Sequence, residues 1–204
     1  MTWPVTLSAD GVTLRPLALR DRRAWQEVRA RNREWLLPWE ATMPPQGRAL
    51  GEQIPTFGAM VRRLRAEARA GQCLPWVIGV DGRLAGQLTV GGISLGSARS
   101  AYIGYWIDQA FAGRGIMPTA VAMAVDYCFE VRLLHRIEIN IRPENGPSRR
   151  VVAKLGLREE GLRPAFLHID GDWRDHVCYS VLSGDFPQGL LHHWRNSPQA
   201  TSTS

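Results

Sequence analysis

Lysine is nearly missing from this chain. Lys154 is the only one among 25 basic residues, so the net charge of +6 is carried almost wholly by arginine. Such an excess suits acidic partners, phosphate groups or RNA, but it speaks to association and not to fold. A chain-wide preference for arginine would look the same. Cysteine is scarce as well: Cys73, Cys128 and Cys178 are odd in number and widely spaced. They make no disulfide framework, and no C-x-x-C pair is present for zinc or redox work. A reducing, cytoplasmic compartment is the expectation that follows. No apolar run approaches the ~20 residues of a membrane-spanning helix. Met1-Thr2-Trp3-Pro4 lacks the basic flank and apolar stretch of a secretory leader. No Gly-Lys-Ser/Thr occurs, which removes a Walker-type phosphate loop. His192-His193 are adjacent rather than at i,i+4 spacing, so they are not read as a metal pair.

What is present is the composition of an ordinary globular chain. At 204 residues, with 45% hydrophobic and 22% charged, it fits one domain and can bury a core without staples. Gly 20 and Pro 13 punctuate the whole length and exclude a coiled coil. The domain is read as residues 1–195. The polar stretch 196–204 is read as a disordered tail.

Local patterns set out the elements. Val12 to Leu17 alternates as a strand after an Asp10-Gly11 turn. Asp21 is placed to cap a helix carrying Trp25, Val28 and Arg29 on one face. Trp35 to Glu40 breaks that helix, and a Pro/Gly-rich loop follows from Met43 to Gly51. A second helix covers Phe57 to Ala70, with Gly71 as its stop. Pro75–Val80, Leu84–Leu95 and Tyr102–Asp108 then form an antiparallel meander opened by an Asp81-Gly82 hairpin turn. A helix runs to about Val131, a strand over Arg136–Ile141 and a short helix over Pro147–Leu155. A hairpin, Leu157–Ile169 with Trp173–Leu182, completes the chain. The fold class is therefore α/β (α+β): a single-domain, mixed, mostly antiparallel sheet flanked by helices.

Between the meander and the central helix lies Ala112-Gly113-Arg114-Gly115-Ile116-Met117. Glycines let backbone N–H groups form an anion nest, and the following helix start adds a positive dipole end. A pyrophosphate suits this turn. The Rossmann spacing fails, because its third glycine would fall on Pro118. A ligand-free glycine turn is the alternative. About thirty residues on come Asn145-Gly146-Pro147-Ser148 and then Lys154-Leu155-Gly156-Leu157.

Together these segments resemble the GCN5-related N-acetyltransferases (the GNAT superfamily) from Val12 to about Leu182. Gly-x-Gly-Ile-Met, the run from Asn32 to Glu40, Ile103 to Ile107, and Phe166 to Val177 are similar to the Rim-type branch that acetylates ribosomal-protein N-termini. The resemblance implies acetyl-CoA as co-substrate. It places Tyr105, Trp106, Ile107 and Asp108 on the strand that meets the acetyl thioester. Ala112, Gly113, Arg114, Gly115, Ile116 and Met117 fall on the pyrophosphate turn. Ala112 and Met117 depart from the family's Gln/Arg and Gly/Ala. Asn145 is expected to hydrogen-bond the pantetheine arm or to help order this loop. Ser148 is expected near the sulfur as acid for the leaving thiolate; its ordinary alternative is a first-turn helix cap.

Some relatives carry a glutamate base where this chain has Ala165. The remaining base candidates are Glu40, Asp170, Asp172 and Asp175, with Trp35, Trp39, Glu40, Trp173 and Asp175 around the acceptor. Asp170 is also a favoured hairpin-turn residue. The implied partner is a protein N-terminus, that of a ribosomal protein, with proximity to the ribosome or RNA and a monomeric or homodimeric state. An acceptor that is a small amine or an internal lysine stays open. So does a non-catalytic CoA sensor or ribosome-binding module. The acceptor's pKa bears on this choice. An α-amine of pKa near 8 is roughly one-fifth neutral near pH 7.4, whereas a lysine of pKa near 10.4 is about one-thousandth neutral.

Overall fold

The structure is a computed structural model and describes residues 3–198. Eight strands form one sheet in the order β1-β2-β3-β4-β5-β6-β8-β7. They are β1 (Leu7–Ala9), β2 (Val12–Pro16), β3 (Leu74–Val80), β4 (Arg83–Ser94), β5 (Ser100–Ile107), β6 (Arg136–Ile141), β7 (Arg158–Ile169) and β8 (Asp172–Leu182). Six of the seven neighbouring pairs are antiparallel; β5 with β6 is parallel. A parallel pair needs a crossover. Helix α5 (Ile116–Glu130) supplies it.

β3 is buried along its whole length, and its alternate side chains serve two cores. Trp76 and Ile78 pack with Val121 and Val125 of α5, while Val77 packs with Val28, Phe57, Val61 and Leu64 on the other face. That second layer is α1 (Arg22–Arg31) and α4 (Phe57–Arg69). In α4 the buried residues recur as Phe57, Val61, Leu64 and Ala68, the stripe of a helix with one face inward. Thr56 starts it by accepting a hydrogen bond from the Ala59 N–H at 3.3 Å. Between these helices lie α2 (Arg33–Leu36) and α3 (Pro45–Ala49). On the α5 side, α6 (Gly146–Lys154) and α7 (Leu190–Arg195) close the layer. Asp126 of α5 accepts hydrogen bonds from the Leu190 and Leu191 N–H groups at 2.7 and 3.0 Å, which fixes the start of α7.

The mixed, mostly antiparallel architecture matches the expectation from sequence. Some local readings change. Asp21 is not a side-chain cap of α1. Its carboxylate is buried, taking both Arg15 nitrogens at 2.7 and 2.9 Å and the Ala18 N–H at 2.8 Å. The Met43–Gly51 loop contains the short helix α3, begun by Pro45 at its first position, where a missing N–H costs nothing. β1 and α7 carry too few residues to show a period. Asn196 to Pro198 continue α7 as a turn, with Ser197 Oγ donating to the Trp194 carbonyl at 2.8 Å. The rest of the expected tail lies outside the described residues.

All three cysteines are buried, between 0 and 4% exposed. Burial pushes the Cys73 and Cys128 thiols up to about 12 and raises Cys178 as well. Unfolding returns each to about 8.5. Because the folded values are raised, stability held below pH ~8.5 falls as pH rises toward 12. The native protein is expected to give no thiol colour with Ellman's reagent at pH 8 within minutes. All three thiols should react in guanidinium chloride, and fast native labelling of any one would contradict this packing.

Candidate active site

β5 and β6 pair only where they begin, Ser100 to Tyr102 against Arg136 to Glu138. Beyond Tyr102, β5 keeps β4 on one side and has no paired strand on the other. The two strands therefore part, and a cleft of about 410 Å³ opens beside the split.

Local hydrogen bonding tells which backbone groups face it. The Asp108 N–H donates to Ala85 O on β4 at 2.8 Å, and Ile107 O accepts from Trp35 Nε1 at 3.1 Å on the other side. Strand alternation then turns the Tyr105 and Ile107 N–H groups toward the split. Asp108 closes this corner. Burial raises its carboxyl, but hydrogen bonds from Arg31, Asn32 and the Ala110 N–H outweigh that and hold it below the usual range. Its Oδ1 accepts from Asn32 Nδ2 at 2.8 Å, while Asn32 Oδ1 accepts from the Gln109 N–H at 2.9 Å. The end of α1 is thus fastened to the connector that leads into the glycine turn.

Gly113 and Gly115 both have left-handed backbone, φ +80° and +75°. Gly115 is the N-cap of α5, so the free N–H groups of that helix start open onto the turn. A side chain built at Gly113 would meet nothing within 4 Å, and the residue lines the cleft. The turn is an open cradle of backbone donors with the geometry of a pyrophosphate seat.

Across the split, Asn145 caps α6 by accepting from the Ser148 N–H at 3.1 Å. Ser148 is left with its hydroxyl free of that duty. Its Oγ donates to the Tyr105 hydroxyl at 2.8 Å, bridging the parted strands. Burial drives the Tyr105 pKa well above its ordinary value, against a smaller opposing effect of Ser148.

Glu40 lies at the other end of the cleft, ion-paired with Arg29. The Arg29 guanidinium sits over the rings of Trp25 and Trp106 at 5.1 and 5.4 Å. Burial pulls its pKa down, opposed by Glu40. The loop holding Glu40 is tied to the β7–β8 hairpin. Ala41 bridges Ile169, Thr42 Oγ1 lies 2.8 Å from His168 Nδ1, and the Asp170 N–H donates to Glu40 O at 3.1 Å.

Thirteen of the residues singled out in the sequence line this one cleft: Trp35, Trp39, Glu40, Tyr105, Trp106, Ile107, Ala112, Gly113, Gly115, Ile116, Met117, Asn145 and Ser148. Six stand outside its lining, among them Asp172, which is ion-paired with Arg174 at 3.4 Å. Asp108 is the corner brace. Arg114 lies over the Phe111 ring at 5.6 Å. Asp170 is in the hairpin turn at φ +50°. Trp173 is half exposed against the His168 ring, and Asp175 accepts from the Ala165 N–H at 2.8 Å. Arg29 and Lys154 line the cleft without having been singled out as site residues. The signal for Arg29 was there, since a charge on the apolar face of α1 needs a partner.

The parted parallel strands, the glycine cradle at a helix start and the hydroxyl pair across the split define an acyl-CoA-dependent acyltransferase. Residues 12–158 match the family model described as Acetyltransferase (GNAT) domain, and the chain belongs to that family. It is an N-acetyltransferase whose co-substrate is acetyl-CoA. It is similar to the [Ribosomal protein uS5]-alanine N-acetyltransferase of Escherichia coli K12, with 29% identity over 91% of this chain and 94% of that one. A probable N-acetyltransferase, YjcK of Bacillus subtilis 168, is 41% identical over 53% of this chain and spans 60% of its own length in the match. Among solved structures, Mycobacterium smegmatis RimJ in complex with CoA-disulfide has a TM-score of 0.85 and 42% identity, covering 94% of this chain and 95% of that one.

Proposed function

We propose that this enzyme acetylates the N-terminal α-amine of a protein, and specifically the N-terminal alanine of a ribosomal protein. The observation that carries the reading is the charge content of the cleft. Among the described residues Glu40 is the only carboxylate that lines it, and Arg29 already occupies one of its oxygens. With so little base at hand the site suits an amine already part-neutral near pH 7, which is an α-amine and not a lysine. The name of the Escherichia coli relative points the same way.

Acetyl-CoA supplies an activated acetyl thioester. The Gly113–Gly115 cradle and the start of α5 hold its pyrophosphate. The Tyr105 and Ile107 N–H groups face the split, where they stabilise negative charge developing on the acetyl oxygen. A preorganised donor of this kind is worth ~3–4 kcal/mol in well-studied hydrolases. Glu40 Oε2 receives the substrate ammonium, directly or through water. Ser148 Oγ turns its proton from the Tyr105 hydroxyl to the departing sulfur and takes a replacement from that hydroxyl, while the proton the attacking amine sheds to water restores Tyr105, so one proton leaves nitrogen for each one that reaches sulfur. Trp35 and Trp39 wall the acceptor side, and orientation supplies much of the remaining gain.

A pair of peptides tests the acceptor. One begins with free alanine and lacks lysine; the other has a blocked N-terminus and one internal lysine. Intact-mass detection with acetyl-CoA is expected to show a gain of about 42 Da, one acetyl group replacing one hydrogen, on the first alone. Transfer to the second alone would replace this reading with a lysine acceptor.

A further inference from the structure

The whole net charge of the chain resides in two stretches of one helix layer. Residues 19–36 and 57–70 hold ten arginines against four acids. The rest of the chain holds fifteen basic and fifteen acidic residues. These stretches are α1 with α2, and α4. Both pack on the sheet face away from α5, and the Trp25 and Phe57 rings join them 5.2 Å apart.

Their inward faces are apolar, so the arginines are turned outward. Arg20, Arg22, Arg33, Arg62, Arg65 and Arg69 are all exposed, and among the described residues none has an ion-pair partner. Arg62, Arg65 and Arg69 follow i, i+3, i+7 spacing. They form one stripe about 10 Å long on α4, about 100° round the helix from the buried Val61, Leu64 and Ala68 that each precede one of them. An isolated stable helix would offset such like charges with i,i+4 acids. Here Glu67 alone does so, toward Arg63 at 3.9 Å.

We infer that the outer face of α1 and α4 is an RNA-binding surface. Arginine forks fit phosphate oxygens two at a time, which lysine does not do. What sets this face apart is that it gathers the whole net charge of the chain as guanidinium forks unpaired among the described residues, and such a concentration complements a run of phosphates. The same helix layer contributes Arg29 and Trp35 to the acceptor end of the cleft. RNA held on this face lies beside the acceptor entrance and away from α5 and its pyrophosphate turn. Binding is read through phosphates, so it carries little sequence preference.

The test uses the full chain and a fluorescein-labelled 24-base-pair RNA duplex of mixed sequence, read by anisotropy. With about four phosphates neutralised, affinity is expected to fall on the order of 10²-fold between 50 and 200 mM KCl. The triple variant R62A/R65A/R69A should weaken binding at 50 mM at least ~30-fold and flatten the salt slope by two to three. Its thermal midpoint should stay within about 3 °C of the parent and its acetyl transfer to the alanine peptide within twofold. Absence of binding at 50 mM KCl would overturn the inference. So would a triple variant that binds normally, or RNA displaced by CoA, which would move the contact to Arg114, Arg149 and Arg150. Equal binding of poly-glutamate and RNA would mean an acidic-protein surface instead.

Discussion

Gly113→Val is expected to weaken acetyl-CoA binding at least ~30-fold while leaving the fold intact. The backbone there sits at φ +80°, which costs an L-residue ~1–2 kcal/mol, and a β-branched one more. In a chain of this size that lowers the thermal midpoint by only a few degrees. The larger loss is local. A Cβ at this position meets no atom within 4 Å and the residue lines the cleft, so the added isopropyl group is expected to crowd a ligand at the turn and not the fold. There it displaces whatever the backbone donors would otherwise hold. Gly11→Val is the matched control. It has similar strain, φ +75°, and similarly open space, but in the hairpin at the β1 edge of the sheet. Calorimetric titration with acetyl-CoA should show the loss for Gly113→Val and an unchanged affinity for Gly11→Val. Equal affinity in both would remove the glycine turn from the cofactor site.

How far the sequence revealed this cleft follows from the range of each signal. The glycine turn and the helix start at Asn145-Gly146-Pro147-Ser148 are local patterns and fall where their spacing put them, although the cap of that helix is Asn145 and not Ser148. The strand period predicted the meander, because β3 to β5 are long and joined by short turns. The parting of β5 from β6 is different in kind. It depends on a parallel pairing of residues about 36 apart, which no local period encodes. Asp170 and Asp175 show the limit most directly. Each is a carboxylate in a run that looks like a substrate site. Yet Asp175 takes the Ala165 N–H, and Asp170 holds the hairpin turn that ties down the Glu40 loop. An aspartate that satisfies a backbone donor and one that meets a substrate look alike in one dimension. Arg29 is the reverse case. Its partner lies eleven residues away and its stacking partner Trp106 seventy-seven away, so only the folded sheet brings them together.

Ser148→Ala is expected to lower kcat on the order of 10²-fold and to change the KM for acetyl-CoA less than about threefold. Loss of a positioned proton donor acts on the transition state, whereas loss of a binding contact would fall on KM. The α6 cap survives the change, because Asn145 bonds the Ser148 backbone N–H and not its hydroxyl. Tyr105→Phe removes the group that resupplies the proton and should lower kcat by a comparable factor. The two hydroxyls act as one relay across 2.8 Å, so the double variant should be no slower than the slower single one. The pH profile adds an independent check. Burial raises the Tyr105 pKa, so this tyrosine stays protonated through pH 10 and should add no alkaline limb to kcat. Removing Ser148 takes away the small effect that opposes burial, so no such limb should appear in Ser148→Ala either. Additive losses in the double variant would show two hydroxyls working separately. Equal losses in kcat and acetyl-CoA affinity for Ser148→Ala would make it a binding contact, leaving the departing thiolate to find its proton from solvent.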